Sequence, residues 1–133
     1  MNTPKEANED LRNRLTTDQY YVTQEAGTEP AFSGCYWDTK EAGVYHCVVC
    51  DTELFSSSTK FDSGTGWPSF FEATTSEKVR RVEDRSYGMV RTEAICNACG
   101  AHLGHIFNDG PPPTGERFCM NSASLRLQPN TDS

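Results

Sequence analysis

The sequence predicts a mainly β domain with a short N-terminal helix and one metal centre. Three observations carry that expectation. From Val44 onward, β-branched and aromatic runs alternate with Gly- and Pro-rich stretches. Helical periodicity is confined to the N-terminal side, and no strand–helix–strand alternation follows. Two C-x-x-C pairs, Cys47 with Cys50 and Cys96 with Cys99, each sit after a strand-like run.

In chain order, residues 1–15 read as a polar, weakly ordered lead-in. "TTDQYYVTQEAG" then reads as a helix: Thr16 caps it, Gln19 completes a capping box, and Gly27 closes it. "TEPAFSGCYWD" is looped or extended. "GVYHCVVC" is a strand entering the first cysteine pair, and "TELFSSSTKF" reads as a second strand. "DSGTGWPSF" is a loop carrying Trp67. "KVRRVEDRSYGMVRTEAIC" reads as a hairpin turning near Glu83–Ser86. The three prolines of "DGPPPTGE" impose an irregular loop, because each lacks a ladder donor. "RFCMNSASLRLQ" reads as a strand, and residues 129–133 as a flexible tail. With no repeat and no linker, residues 16–128 are expected to form a single domain.

The 133 residues carry 12 Lys and Arg against 19 Asp and Glu, a net charge of -7. That balance argues against a nucleic-acid partner, whose phosphates are met by clustered cations. No apolar run approaches the roughly 18 residues of a membrane span, and the first residues lack the order of a secretory signal. A cytoplasmic protein with no membrane partner is therefore expected. In that compartment six cysteines point away from a disulfide framework. Two C-x-x-C pairs fit one structural, four-cysteine zinc site better than a redox motif, which would accompany a βαβ pattern. Only 35% of residues are hydrophobic, so a metal staple suits the small core. His46 adjoins the first pair and reads as a non-ligand.

Cys119 stands apart from both pairs, and by itself it suits a buried thiol, half a disulfide or a nucleophile. On a strand, Arg117, Cys119 and Asn121 share one face, while Phe118 and Met120 take the core face. A guanidinium beside a thiol favours the thiolate, the nucleophilic form. His102 and His105 supply groups for proton transfer near neutral pH, with Asp109 placed to orient one of them. Trp67, between Gly66 and Pro68, offers a rigid apolar wall. A zinc-stabilised binding module would leave this constellation without a purpose.

"SGTGWPSF", "CNACGAHLGHIFNDGPPPTGERFCMNSASL" and "VTQEAGTEPAFSG" closely resemble the methionine sulfoxide reductase B family over about Leu15 to Leu127. The resemblance implies two antiparallel sheets in a β-tent, tied by a zinc ion on Cys47, Cys50, Cys96 and Cys99. It implies thiol-dependent reduction of methionine-R-sulfoxide, free or in proteins, for repair of oxidised proteins. Cys119 matches the catalytic nucleophile. His102, His105 and Asn121 match residues that bind and protonate the sulfoxide oxygen. Arg117 and Asp109 match their polar partners, and Trp67 matches the residue packing on the substrate methyl. Where many members carry a resolving cysteine in the tryptophan loop, this chain has Thr65. That leaves two routes: Cys35, the one cysteine left over, condenses with a Cys119 sulfenic acid and thioredoxin reduces the disulfide, or an external thiol regenerates Cys119 directly; the first is the expectation. A monomer is expected.

Overall fold

The computed structural model describes residues 8–85 and 88–129. Among the described residues two helices, α1 (Asn8–Arg14) and α2 (Thr17–Gln24), precede nine strands. These are β1 (Gly43–Cys47), β2 (Glu53–Ser56), β3 (Lys60–Phe61), β4 (Ser69–Phe70), β5 (Val79–Asp84), β6 (Arg91–Cys96), β7 (His102–Phe107), β8 (Arg117–Met120) and β9 (Leu125–Pro129). They form two wholly antiparallel sheets, one ordered β2-β1-β9 and one β3-β4-β8-β7-β6-β5. No helix among the described residues is long and apolar enough to cross a membrane.

The expected capping box opens α2: Gln19 N–H donates to Thr16 Oγ1 and Thr16 N–H to Gln19 Oε1. Its far end differs from expectation. The left-handed residue is Ala26, at φ 55°, rather than Gly27. Gly27 is needed for closeness, since a Cβ there would lie 2.1 Å from the Tyr21 ring. The lead-in expected over residues 1–15 also needs correction. Residues 8–14 are helical, and Leu11 and Leu15 are buried with Tyr20 in a small apolar cluster of their own. Residues 1–7 and the tail beyond 129 lie outside the described residues.

Two segments expected as single strands are each broken by a serine-rich 3-10 turn and cross between the sheets. In "TELFSSSTKF" the turn Ser57–Thr59 separates β2 from β3. Ser56 Oγ accepts Ser58 N–H and Thr59 Oγ1 donates to Ser56 C=O, so hydroxyls replace ladder bonds. In "RFCMNSASLRLQ" the turn Ser122–Ser124 carries the chain from β8 to β9. Ser124 Oγ, fully buried, sits on the carbonyls of Asn121 and Leu103. The expected hairpin pairs Val79–Asp84 with Arg91–Cys96; Glu83 and Asp84 of its expected turn belong to the strand, and Ser86 lies outside the described residues.

The core lies between the sheets. Tyr45, Phe55, Phe70 and Phe118 form an aromatic chain, with Phe55 and Phe70 stacked at 4.4 Å. Phe118 and Met120 face this core as expected, which turns the other face of β8 outward. Fully burying each such side chain is worth about 1.5–3 kcal/mol, so β8 is firmly held.

Candidate active site

The two cysteine pairs fold into matching turns. Asp51 N–H donates to Cys47 C=O at 2.8 Å, and Gly100 N–H to Cys96 C=O at 2.8 Å. Each turn ends on a left-handed residue, Asp51 at φ 68° and Gly100 at φ 82°. Cys99 N–H then faces the Cys96 sulfur, and Ala101 N–H the Cys99 sulfur. All four sulfurs lie within 4.8 Å of one another, with Cys47–Cys99 at 3.7 Å and Cys50–Cys96 at 3.6 Å. Tetrahedral ligation at about 2.3 Å per sulfur gives sulfur–sulfur edges of about 3.8 Å, so the cluster suits one metal ion. His46 is outside it, held by Asp51 C=O at 2.8 Å.

Around Cys119, a cavity of about 250 Å³ is lined by Thr65, Trp67, His105, Arg117 and Asn121 among others. Arg117, Cys119 and Asn121 do share a face. Arg117 is fixed from two sides: its Nε and Nη2 donate to Asp109 Oδ1 and Oδ2 at 2.8 and 3.1 Å, and its guanidinium stacks 4.3 Å over Phe107. That pairing holds the Asp109 carboxyl below the usual carboxylate range. Around the Cys119 thiol, two effects oppose. Burial pushes its pKa up, while the Arg117 charge and hydrogen bonds from Thr65 and Arg117 pull it down. Burial wins, so the thiolate expected from the guanidinium alone does not hold; the resting thiol keeps its proton above the ordinary range.

Asp109 does not orient a histidine, contrary to the sequence reading. Two carboxylates do so, one from the adjacent β6 and one from the end of β5, two strands away. Glu93 Oε2 lies 2.6 Å from His102 Nδ1, and Asp84 Oδ2 lies 2.8 Å from His105 Nε2. His102 and His105 would point to opposite faces of a regular strand. A bulge at Leu103 shifts the β6–β7 register between Ala94↔Gly104 and Ile95↔His102, bringing the two rings to 5.5 Å. His105 reaches the cavity; His102 does not line it. His102 is only 4% exposed, its Nε2 has no partner among the described residues, and burial lowers its pKa despite Glu93.

The remaining wall is held by Glu29, which sequence reasoning missed. Its C=O accepts Trp67 Nε1–H at 2.9 Å, its N–H donates to Asn121 Oδ1 at 3.0 Å, and its Oε1 accepts Ala123 N–H. Asn121 Nδ2 donates to Leu103 C=O at 3.1 Å. The tryptophan loop is fixed further by Phe32 N–H donating to Gly66 C=O at 2.8 Å. Gly66, at φ 90°, leaves no room for a Cβ against the Phe32 ring. Nothing in the spacing of Glu29, Asp84 or Glu93 announces these contacts, which span up to 94 residues. Cys35 is exposed and lines a different cavity, with Glu29, Gly34, Tyr36 and Ser122. Thr65, and not Cys35, is the residue beside the Cys119 thiol.

Comparison with known proteins meets this geometry. The SelR domain family matches residues 15–129. The "Peptide methionine sulfoxide reductase MsrB" of Herminiimonas arsenicoxydans is 59% identical over 121 residues, covering 91% of this chain and 88% of that protein. The Escherichia coli K12 protein of the same name is 56% identical, covering 92% of this chain and 90% of its own. The mouse "Methionine-R-sulfoxide reductase B3, mitochondrial" is 58% identical over 94% of this chain, which spans 49% of the mouse protein.

Proposed function

This chain belongs to the SelR domain family and is a peptide-methionine (R)-S-oxide reductase, and from that footing we propose that Cys119 performs the reduction. The observation that carries the proposal is a single cysteine, outside the four-sulfur cluster, in a cavity with an aromatic wall and hydrogen-bond donors. Trp67 packs on the substrate methyl. An amide nitrogen has two hydrogens, and Asn121 uses one on Leu103, which leaves one for the sulfoxide oxygen. Arg117, immobilised by Asp109, stabilises the attacking sulfur.

The step is balanced without an external proton. The Cys119 sulfur attacks the sulfoxide sulfur and forms a sulfur–sulfur bond while the oxygen takes the thiol's proton; the hydroxyl then passes to the Cys119 sulfur as the sulfur–sulfur bond and the original sulfur–oxygen bond break. The products are the thioether and a Cys119 sulfenic acid, with His105 carrying the proton between sulfur and oxygen. Cys35 then condenses with the sulfenic acid, releasing water and forming a Cys35–Cys119 disulfide. Because Cys35 lines its own cavity, the loop between Pro30 and Gly43 swings to bring the two Cα atoms within about 7 Å, with Glu29 keeping its bonds to the wall. A thioredoxin dithiol reduces the disulfide by exchange, in a cytoplasmic setting that keeps thiols reduced. The protein acts as a monomer in the repair of oxidised methionine.

Cys47, Cys50, Cys96 and Cys99 would hold one zinc ion, and four thiolates would complete a structural site. Its contribution is to stability, and no step of the reduction passes through it. The test is turnover of a racemic methionine sulfoxide with dithiothreitol. The expected reaction stops near half conversion with the S epimer untouched; full conversion, or none, overturns the reading.

A further inference from the structure

Two histidine–carboxylate pairs stand side by side, and only one faces the cavity. We infer that Asp84 is the positioning residue for His105, holding its Nε2–H so that Nδ1 is the nitrogen presented to Cys119 and the sulfoxide oxygen. The inference rests on the reduction proposed above.

His105 and Cys119 are register partners on β7 and β8, so their side chains emerge directly opposite one another. Asp84 comes from the end of β5, two strands from β7, and takes Nε2 at 2.8 Å. Arg91 Nη2 donates to the same Asp84 oxygen at 3.4 Å, and Arg91 itself lines the cavity. Among the described residues, His105 Nδ1 has no hydrogen-bond partner. A carboxylate only accepts, so the hydrogen between it and Nε2 belongs to the imidazole. In the neutral ring Nδ1 is then an acceptor, free to take the thiol proton from Cys119. Passing that proton to the departing oxygen returns the ring to the same tautomer, and Asp84 keeps its bond throughout. The charge on the imidazolium formed in between is met by the Asp84 carboxylate. The Glu93–His102 pair has the same chemistry at 2.6 Å, but its free nitrogen is enclosed. Two like pairs thus differ in access, and access selects His105.

Single-turnover formation of the Cys119 sulfenic acid, with racemic N-acetylmethionine sulfoxide and no reductant, tests the assignment. Asp84→Asn is expected to slow it about 10- to 100-fold, within the usual worth of general acid–base catalysis, and Asp84→Glu to restore most of the rate. Alkylation of Cys119 by iodoacetamide should stay within about twofold, because nucleophile access is not at issue. Nitrogen-15 spectra of the wild-type imidazole should show Nε2 protonated and Nδ1 bare, and the asparagine variant a mixture of tautomers. An unchanged single turnover overturns the inference, as does alkylation falling in step with reduction. If Asp84→Asn does not fold, an Nδ1–H tautomer in the wild type overturns it. A wild type inert on both epimers overturns the reduction itself, a result distinct from an active but Asp84-indifferent enzyme.

Discussion

The chain has two cysteine sites built on opposite plans. At the four-cysteine cluster the sulfurs are gathered by two copies of one local turn, each set by cysteines three residues apart and a left-handed residue after the second. At Cys119 a single sulfur is surrounded by groups from β5, β7, β8, the tryptophan loop and the segment around Glu29. The first site depends on spacing within a few residues; the second depends on sheet register. One plan makes a closed, inert cluster, and the other leaves a face of β8 open for chemistry. The difference teaches that sulfur chemistry in this fold is assigned by what encloses the thiol, and the cysteine itself is common to both.

The sharpest way to break the comparison is to remove one cluster sulfur. Cys50→Ser or Cys96→Ser should reduce bound zinc from about one per chain to none. A structural zinc contributes on the order of 10 kcal/mol, comparable with the whole stability of a small domain. The variants should therefore be unfolded or insoluble, as read by circular dichroism and metal analysis. A well-folded, zinc-free, active variant would sink the structural role.

Removing the other sulfur should do the opposite. Cys119→Ser is expected to keep fold, melting temperature and zinc while losing all measurable sulfoxide reduction, since a neutral hydroxyl replaces the thiol nucleophile. Residual turnover above a few per cent would mean that another thiol attacks.

These two sites were unequally legible in the sequence. The cluster and the Thr16–Gln19 capping box follow from fixed short spacings, and the period-2 alternation of Arg117 to Asn121 shows which face of β8 is open. Sheet-crossing points were hidden, because a serine run reads equally as strand until its hydroxyls take local backbone partners. The carboxylates were hidden for a different reason. Asp109 is closer in sequence to the histidines than Asp84, yet Asp84 reaches His105 from the end of β5, two strands away and off the register line on which His105 faces Glu93, while Asp109 goes to Arg117. Burial of Cys119 was also out of reach, and it reverses the sign expected from Arg117 alone.

Cys35 tests whether the open site needs a second thiol. In Cys35→Ser the first turnover should survive and a sulfenic acid should accumulate on Cys119. Thioredoxin-driven cycling should fall about tenfold or more, while the metal cluster is untouched. Mass spectrometry of oxidised wild type should find the Cys35–Cys119 disulfide. Unchanged thioredoxin-dependent turnover with no such disulfide would remove Cys35 from the cycle and leave an external thiol to act directly.

The smallest expected effect isolates the electrostatics that distinguish Cys119 from the cluster. Burial holds its proton on, and Arg117 opposes burial. Arg117→Met removes the opposing charge and keeps much of the side-chain bulk against Phe107. The thiol's titration should move to still higher pH, since losing a nearby cation disfavours the thiolate. At a fixed pH below the midpoint each unit of that move costs tenfold in thiolate, so iodoacetamide alkylation at neutral pH should slow by several-fold or more. Thr65→Val should act in the same direction and less strongly, because it deletes one hydrogen bond to the sulfur and no charge. The measurement is the alkylation rate against pH for wild type and both variants, with zinc content as the internal control. A curve that moves to lower pH in Arg117→Met would mean that the guanidinium, clamped by Asp109, is electrically spent before it reaches the thiol. That outcome would leave Thr65 as the group that tempers the burial of Cys119.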